Sequence, residues 1–307
     1  MPERTARYGI VIIIIQGVTK NMKIGILGTG LMGQPMALKL LESNYEIIAY
    51  NRTAAKLDPI KAAGGAIASS PVEVLQEADC LITMLTNAEA IRETLLSDAA
   101  KAKWTGKTLI QMATIAPSES QTLQHDIEAA GGAYLEAPVL GSIPQVKTGE
   151  LLVMVGATPS LFEQCLPVLK VFGKEPVLLG EVGSGSAVKL AMNQLIGSLT
   201  TAFAGSLAMV HQQGIDIEAF MEIVRQSALY APTFDKKLSR MMAGNYENPN
   251  FPSKHLLKDM NLFSREAEAM GIDAQLSQAV SQVVEQAIAQ GLADSDYSAL
   301  FEAVKGG

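Results

Sequence analysis

From residue 22 to residue 182 the apolar residues fall in short unbroken runs; from residue 183 onward they fall in rows three and four apart. Lys23–Leu27, Cys80–Leu85 and Thr108–Met112 are runs of the first kind. Short apolar runs bounded by turn signals read as strands buried on both faces of a parallel sheet. Further strands are predicted at Glu46–Tyr50, Ala66–Ala68, Tyr134–Ala137, Leu151–Val155 and Pro176–Leu179. Between them the spacing widens to a helical period at Val72–Gln76, Glu89–Leu96, Ser118–Ala130 and Ser160–Val171. Strand–helix alternation repeated in this way predicts an α/β, doubly wound and mostly parallel sheet. Ligands of such a sheet bind beyond the carboxyl ends of its strands.

The second half reads as helices. Gly183 to Gly214 predicts one helix of roughly 30 residues, about 45 Å long at 1.5 Å per residue. Gly183, Ser184 and Gly185 offer a permissive turn and a capping hydroxyl at its start, and Gly214 a stop. Beyond Asn193 this helix is apolar nearly all round, through Leu195, Ile196, Leu199, Phe203, Leu207, Met209 and Val210, which predicts burial. Further helices are expected at Glu218–Gln226, Thr233–Met242, Leu256–Met270 and Ser277–Gln290. Their methionines read as core filling. The expected division is an extension at 1–21, a dinucleotide-binding domain at 22–182 and an all-helical domain at 183–305, joined by the long helix.

Lys189 and Asn193 lie four residues apart on that helix and so share one face. A surface lysine ahead of a buried stretch is an equal reading from spacing alone, because lysines are mostly exposed.

Composition narrows the functional classes. The chain has 307 residues, enough for about two domains, with 48% hydrophobic and 18% charged residues. The net charge of −7 argues against a nucleic-acid or anionic-membrane binder. Cys80 and Cys165 lie far apart without a spacing pattern, as in a reducing, cytoplasmic protein. His125, His211 and His255 are scattered, so no metal site and no histidine-based nucleophilic triad is expected. In the extension, Arg4 and Arg7 precede Val11–Ile15, a run too short to span a bilayer and lacking a signal-peptide cleavage site. Met22 directly before the first strand suggests that 1–21 is dispensable; an extra strand or a targeting segment are the alternatives. The Leu195–Val210 run is interrupted by polar residues and is also too short to span.

The first strand runs into Gly28-Thr29-Gly30-Leu31-Met32-Gly33 and then into a helical pattern. Placed between strand and helix, Gly-x-Gly-x-x-Gly is a strong dinucleotide fingerprint. The first glycine permits the turn, the second lets a pyrophosphate approach the backbone, and the third allows close helix–strand packing. The second strand ends in Asn51-Arg52-Thr53, where NAD-binding chains carry an acid for the ribose hydroxyl. Arg52 instead suits a 2′-phosphate, and Asn51 and Thr53 can add donors, so NADP(H) is the expected cofactor. The loops after later strands, Leu85–Asn87, Ala113–Ile115 and Pro138–Ser142, carry no charge, which suits a nicotinamide pocket and equally fits plain connecting loops.

Taken together, this fingerprint, the Gly183-x-Gly185-x-x-x-Lys189-x-x-x-Asn193 helix and the Phe251-x-x-Lys254-His255-x-x-Lys258-Asp259 segment resemble the β-hydroxyacid dehydrogenase family. The likeness is nearest to its glyoxylate/succinic semialdehyde reductases and to its 3-hydroxyisobutyrate and tartronate semialdehyde enzymes. It extends from Met22 to about Leu300. It implies a Rossmann domain, a connecting helix, and an all-α domain that builds a homodimer or homotetramer. It implies that Lys189 is the acid/base and Asn193 its companion. It implies cofactor contacts from Gly28, Thr29, Gly30, Leu31, Met32, Gly33, Asn51, Arg52, Thr53, Leu85, Thr114 and Lys258, and a pocket closed by Phe251 and Asp259.

The chain departs from the family at the substrate loop. Asp-Ala-Pro-Val-Ser-Gly-Gly is usual there, and this chain has Glu136-Ala-Pro-Val-Leu140-Gly141-Ser142. The hydroxyl expected at Leu140 is absent, which leaves Gly141 and Ser142 as the donors for a substrate carboxylate. Thr86 replaces a usual Pro and Ala113 a usual Ser. The expected reaction is NADPH-dependent reduction of a small aldehyde acid. The alternatives are a 3-hydroxyisobutyrate-type dehydrogenase working in oxidation and a non-catalytic NADP-binding protein. An imine reductase has a similar layout but usually lacks the lysine. No nucleic-acid or membrane partner is expected.

Overall fold

The computed structural model describes residues 22–306, so the reading of 1–21 as an extension concerns residues outside those described. Strands β1 (Lys23–Leu27), β2 (Glu46–Tyr50), β3 (Ala66–Ile67), β4 (Cys80–Thr83), β5 (Thr108–Gln111) and β6 (Ala133–Glu136) form a parallel sheet in the order β3-β2-β1-β4-β5-β6. The order reverses between β1 and β4, and a crevice opens at such a switch point. Beyond β6, the short β7 (Val139–Leu140) and β8 (Leu152–Gly156) are antiparallel to each other, and β8 runs antiparallel to β6. The last strand, β9 (Val177–Gly180), pairs parallel with β8.

The sheet is covered on both faces, which is why its strands read as continuous apolar runs rather than alternating ones. On one face Ile24, Ile26, Cys80 and Ile82 pack under α1 (Gly33–Glu42) and α2 (Asp58–Ala62). On the other, Leu27 and Leu81 pack under α3 (Pro71–Glu77) and α4 (Ala88–Leu95), with α5 (Asp98–Lys101) alongside. Helix α6 (Pro117–Ala129) joins that second face through Leu123 and Ile127. Helices α7 (Ile143–Thr148) and α8 (Pro159–Phe172) join the first through Val146, Val168 and Leu169.

From there the chain is helical: α9 (Ser184–Gln212), α10 (Ile217–Gln226), α11 (Pro232–Ala243), α12 (Ser253–Ala269), α13 (Gln275–Ala289) and α14 (Leu300–Val304). A third core holds them together, with Phe203 and Leu207 of α9 against Leu256 and Met260 of α12 and Val280 and Val284 of α13. At Gly197 an added Cβ would stand 2.9 Å from Met260 Sδ, so this glycine sets how closely α9 and α12 approach.

Two expectations for α9 need correction. The helix is not buried all round: Ser186, Lys189, Asn193, Gly197, Thr200 and Ala204 line a buried stripe, while Val188, Leu195, Leu199 and Met209 are exposed on the other side. Among the described residues nothing covers those side chains, which stay open to solvent in the protomer. Nor does Ser184 cap the start. Gly183 is the N-cap at φ 106° without a side-chain cap bond, and the free N–H groups there turn to a carboxylate from the sheet. The short β7 and α7 also escaped the pattern reading, since two and six residues are too few to show a period.

Candidate active site

The fingerprint glycines occupy three different environments. A Cβ on Gly28, at φ 93°, would stand 2.5 Å from Met84 O and 2.9 Å from Leu85 Cδ2, so this turn is closed by β4 and its loop. A Cβ on Gly33 would collide with the carbonyl oxygen of Gly28, so the start of α1 is pressed onto the loop. At Gly30 nothing lies within 4 Å, and that open side is where a pyrophosphate needs room. Helix α1 begins without a side-chain cap; Gln34 N–H is bonded to Gly30 O at 3.2 Å and Pro35 has no N–H, so of its first three residues Gly33 alone can turn an N–H to a ligand. Thr29 Oγ1 is buried without a partner, a polar atom awaiting one. These residues fit a dinucleotide.

Asn51 ties this loop to the end of β2. Its Oδ1 accepts from Thr29 N–H at 3.1 Å, and its Nδ2 donates to Thr53 O at 3.1 Å. Asn51 is therefore mainly a strap, with one amide hydrogen left over, and not the free phosphate donor that spacing suggested. Arg52 and Thr53 remain exposed on the turn. Leu31 is exposed beside Gly30, and Met32 is half-buried.

Lys189 is buried, at 8% exposure, and so is not a surface residue. Its Nζ donates to Asn193 Oδ1 at 3.1 Å, and Asn193 Nδ2 donates to Asp259 Oδ2 at 2.6 Å. The other carboxylate oxygen of Asp259 is 3.1 Å from Lys258 Nζ as an ion pair, and Lys258 Nζ donates to Thr114 O at 2.6 Å. One continuous polar chain thus runs Lys189–Asn193–Asp259–Lys258–Thr114. It joins α9, α12 and the loop after β5. By spacing alone Lys258-Asp259 would be an exposed charged turn of helix; in the fold Asp259 is 2% exposed.

Burial disfavours the ammonium of Lys189, Lys258 adds to this, and Asp259 opposes it; the balance brings the pKa down to about 8. A lysine so placed is charged at neutral pH yet close to giving up its proton, as a general acid/base requires.

The loop expected to meet the substrate, Pro138–Ser142, is shaped by α7. Leu140 is half-buried and pairs with Leu152 across the β7–β8 ladder. Gly141 sits at φ 133°, and a Cβ there would stand 2.6 Å from Leu151 Cδ2. Ser142 does not offer its donors freely: both its N–H and its hydroxyl are bonded to Gln145 Oε1 at 2.9 Å. Gln145 was missed in the sequence, though Ser-x-x-Gln is a helix-start signature that could have found it. Phe251 is grouped with aromatic neighbours, edge-on to Tyr297 at 5.6 Å and against His255 at 6.5 Å, at the margin of the helical core.

Residues 23–183 match a family model described as the NAD binding domain of 6-phosphogluconate dehydrogenase. Residues 183–304 match one described as the NAD-binding of NADP-dependent 3-hydroxyisobutyrate dehydrogenase. The chain is 33% identical to glyoxylate/succinic semialdehyde reductase 2, chloroplastic, of Arabidopsis thaliana, over 93% of this chain and 80% of that one. It is 31% identical to glyoxylate/succinic semialdehyde reductase 1 of the same plant, over 92% and 99%. A solved 3-hydroxyisobutyrate dehydrogenase of Mycobacterium tuberculosis superposes with a TM-score of 0.85 over 93% of this chain and 100% of that one, at 22% identity, a likeness of fold.

Proposed function

The chain belongs to the β-hydroxyacid dehydrogenase family and is an NAD(P)-dependent oxidoreductase of CH–OH groups, and from that premise we propose that it reduces a small aldehyde acid to the hydroxy acid with NADPH. The substrates meant are of the glyoxylate, succinic semialdehyde or tartronate semialdehyde type. The observation that carries the proposal is the buried Lys189, held by Asn193 at the inner end of the polar chain.

The cofactor, when bound, supplies a hydride to the carbonyl carbon. Gly30, on the loop that Gly28 and Gly33 shape, would admit its pyrophosphate, Arg52 would hold its 2′-phosphate, and Leu85, Thr114 and Lys258 would line the region toward the nicotinamide. Lys189 then gives a proton to the carbonyl oxygen as negative charge builds there, and its own positive charge stabilises that oxygen before transfer. With a pKa of about 8, about nine-tenths of the lysines carry this proton at pH 7. Asn193 fixes where the ammonium points, and Asp259 fixes Asn193. Leu140 gives the carboxylate end of the pocket an apolar wall, which suits a substrate larger than glyoxylate.

The exposed apolar side chains of α9 support a homodimer or homotetramer in which that face is covered. Both cysteines are free, which supports a reducing, cytoplasmic setting, and among the described residues no helix is long and apolar enough to cross a membrane.

A panel of aldehyde acids and hydroxy acids assayed with NADPH and NADH, for wild type and Lys189→Ala, tests the proposal. Lys189→Ala should lower kcat by roughly 100- to 10,000-fold while binding NADPH as before. A variant that keeps most of its kcat on the best substrate would show that the lysine is not the acid.

A further inference from the structure

Glu136, the last residue of β6, is wholly buried and takes no part in the proton transfer proposed above. Its Oε1 accepts the N–H groups of Gly183, Gly185 and Ser186 at 2.7, 2.8 and 3.1 Å. Its Oε2 accepts the hydroxyls of Ser186 at 2.6 Å and Ser120 at 2.5 Å. Among the described residues all five partners are neutral donors. A buried carboxylate without a cation would be costly, and here the positive end of α9 meets it. Three of the helix's own free N–H groups converge on one oxygen atom, which gives the helix end a fixed position as well as a cap.

The placement of this carboxylate bears on the reaction. Lys189 follows Ser186 by three residues, about 4.5 Å along the axis, so it lies in the turn directly after the anchored one. The loop expected to meet the substrate, Pro138–Ser142, begins two residues after Glu136, just past the end of β6. One side chain is thus attached covalently to the loop and by hydrogen bonds to the helix carrying the lysine. Glycines let the parts meet: a Cβ on Gly185 would stand 2.6 Å from Met154 O and 3.2 Å from Glu136 Oε1.

We propose that Glu136 is a positioning residue for the reaction, setting the distance between the Lys189 ammonium and the substrate loop by fixing the first turn of α9 to the end of β6. The inference rests on the reading of Lys189 as the acid/base. Without the carboxylate the first turn loosens, and Lys189 loses its fixed height above the loop. The expected signature is a loss in kcat with little change in binding, because an ångström of misplacement is worth on the order of 100-fold in rate.

Ser186 and Ser120 separate this role from simple support of the fold. Each gives Glu136 one hydroxyl hydrogen bond, but Ser186 belongs to α9 and Ser120 to α6. The test measures kcat, KM, NADPH affinity and Tm for S186A, S120A, E136Q and E136D, with K189A as reference. S186A and E136Q should lose about 10- to 100-fold in kcat, with KM and NADPH affinity changed by less than about 3-fold. E136D, which keeps the charge, should recover part of that loss. S120A should lower Tm about as much as S186A and keep kcat within about 3-fold of wild type. If E136Q does not fold, the two serine variants decide. Wild-type kcat in S186A, or an equal loss in S120A and S186A, would overturn the inference. Full activity in K189A would instead overturn the reading of the lysine.

Discussion

Lys189 donates to the side-chain oxygen of Asn193 one helical turn away, and that bond leaves the Asn193 amide nitrogen facing Asp259. The orientation of the amide is thereby decided from both sides. A lysine held in this way has one known acceptor and two N–H bonds left for a substrate oxygen.

The first prediction concerns pH. The Lys189 pKa is brought down to about 8 from its ordinary 10.5, chiefly by burial. Reduction needs the protonated lysine, so its kcat should be level below pH 7 and fall about tenfold per unit well above pH 8. Oxidation of the hydroxy acid needs the neutral amine and should rise through the same range. Between about pH 8 and 10.5 the unfolded chain holds this proton and the folded one does not, so the lysine's contribution makes stability increase with pH there. Rate profiles in both directions provide the check, and a reduction rate unchanged up to pH 10 would rule out the lysine as proton donor.

The fingerprint glycines should separate folding from binding. Gly33→Ala forces a Cβ onto the Gly28 carbonyl and should give an unstable or insoluble protein. Gly30→Ala meets open space and should fold with little change in Tm, yet bind NADPH about 10-fold or more weakly. Thermal melts and cofactor titrations of the pair distinguish these outcomes. Equal damage to Tm would mean that the loop does not present Gly30 to a ligand.

Arg52→Asp should weaken NADPH and spare or improve NADH. A phosphate contact to arginine is lost and an acceptor for the ribose hydroxyl is gained. The ratio of kcat/KM for the two cofactors reads this directly, and a wild type that already prefers NADH would refute the assignment of the phosphate site.

At the substrate loop, the structure sharpens what Leu140 does. With the Ser142 donors held by Gln145, few groups remain to meet a carboxylate. Leu140→Ser adds a hydroxyl there and should lower KM for glyoxylate or succinic semialdehyde. A hydrogen bond to a charged group is worth about 1.5–3 kcal/mol, so the gain should reach about 10-fold and at most about 150-fold. KM values unchanged across the panel would show that this side chain faces away from the carboxylate.

What could be read in the sequence divides along physical lines. The strands of the parallel sheet were legible because both faces are buried, and their bounds agree to within a residue or two. The glycine loop was legible because its three roles are local to six residues. Residues whose surroundings come from distant chain were not. Asp259 read as an exposed charge until α12 packed on α9. Glu136 read only as a departure from a motif, since its partners lie 16 residues back and 47 to 50 residues onward. The exposed side of α9 was missed for the opposite reason. Apolar composition signals the need for cover and does not say whether the same protomer provides it.

The contacts between α12 and the segment after β5 also have a kinetic consequence. Besides Lys258 on Thr114 O, Ser118 donates to Glu266 at 2.6 Å and Arg265 to Glu119 at 2.7 Å. Hydrogen bonds and ion pairs near water contribute well under a kilocalorie to about one kilocalorie each, so parting all three costs about 1–3 kcal/mol. Added salt screens Arg265 from Glu119, so any ligand passing this seam should exchange faster at higher ionic strength.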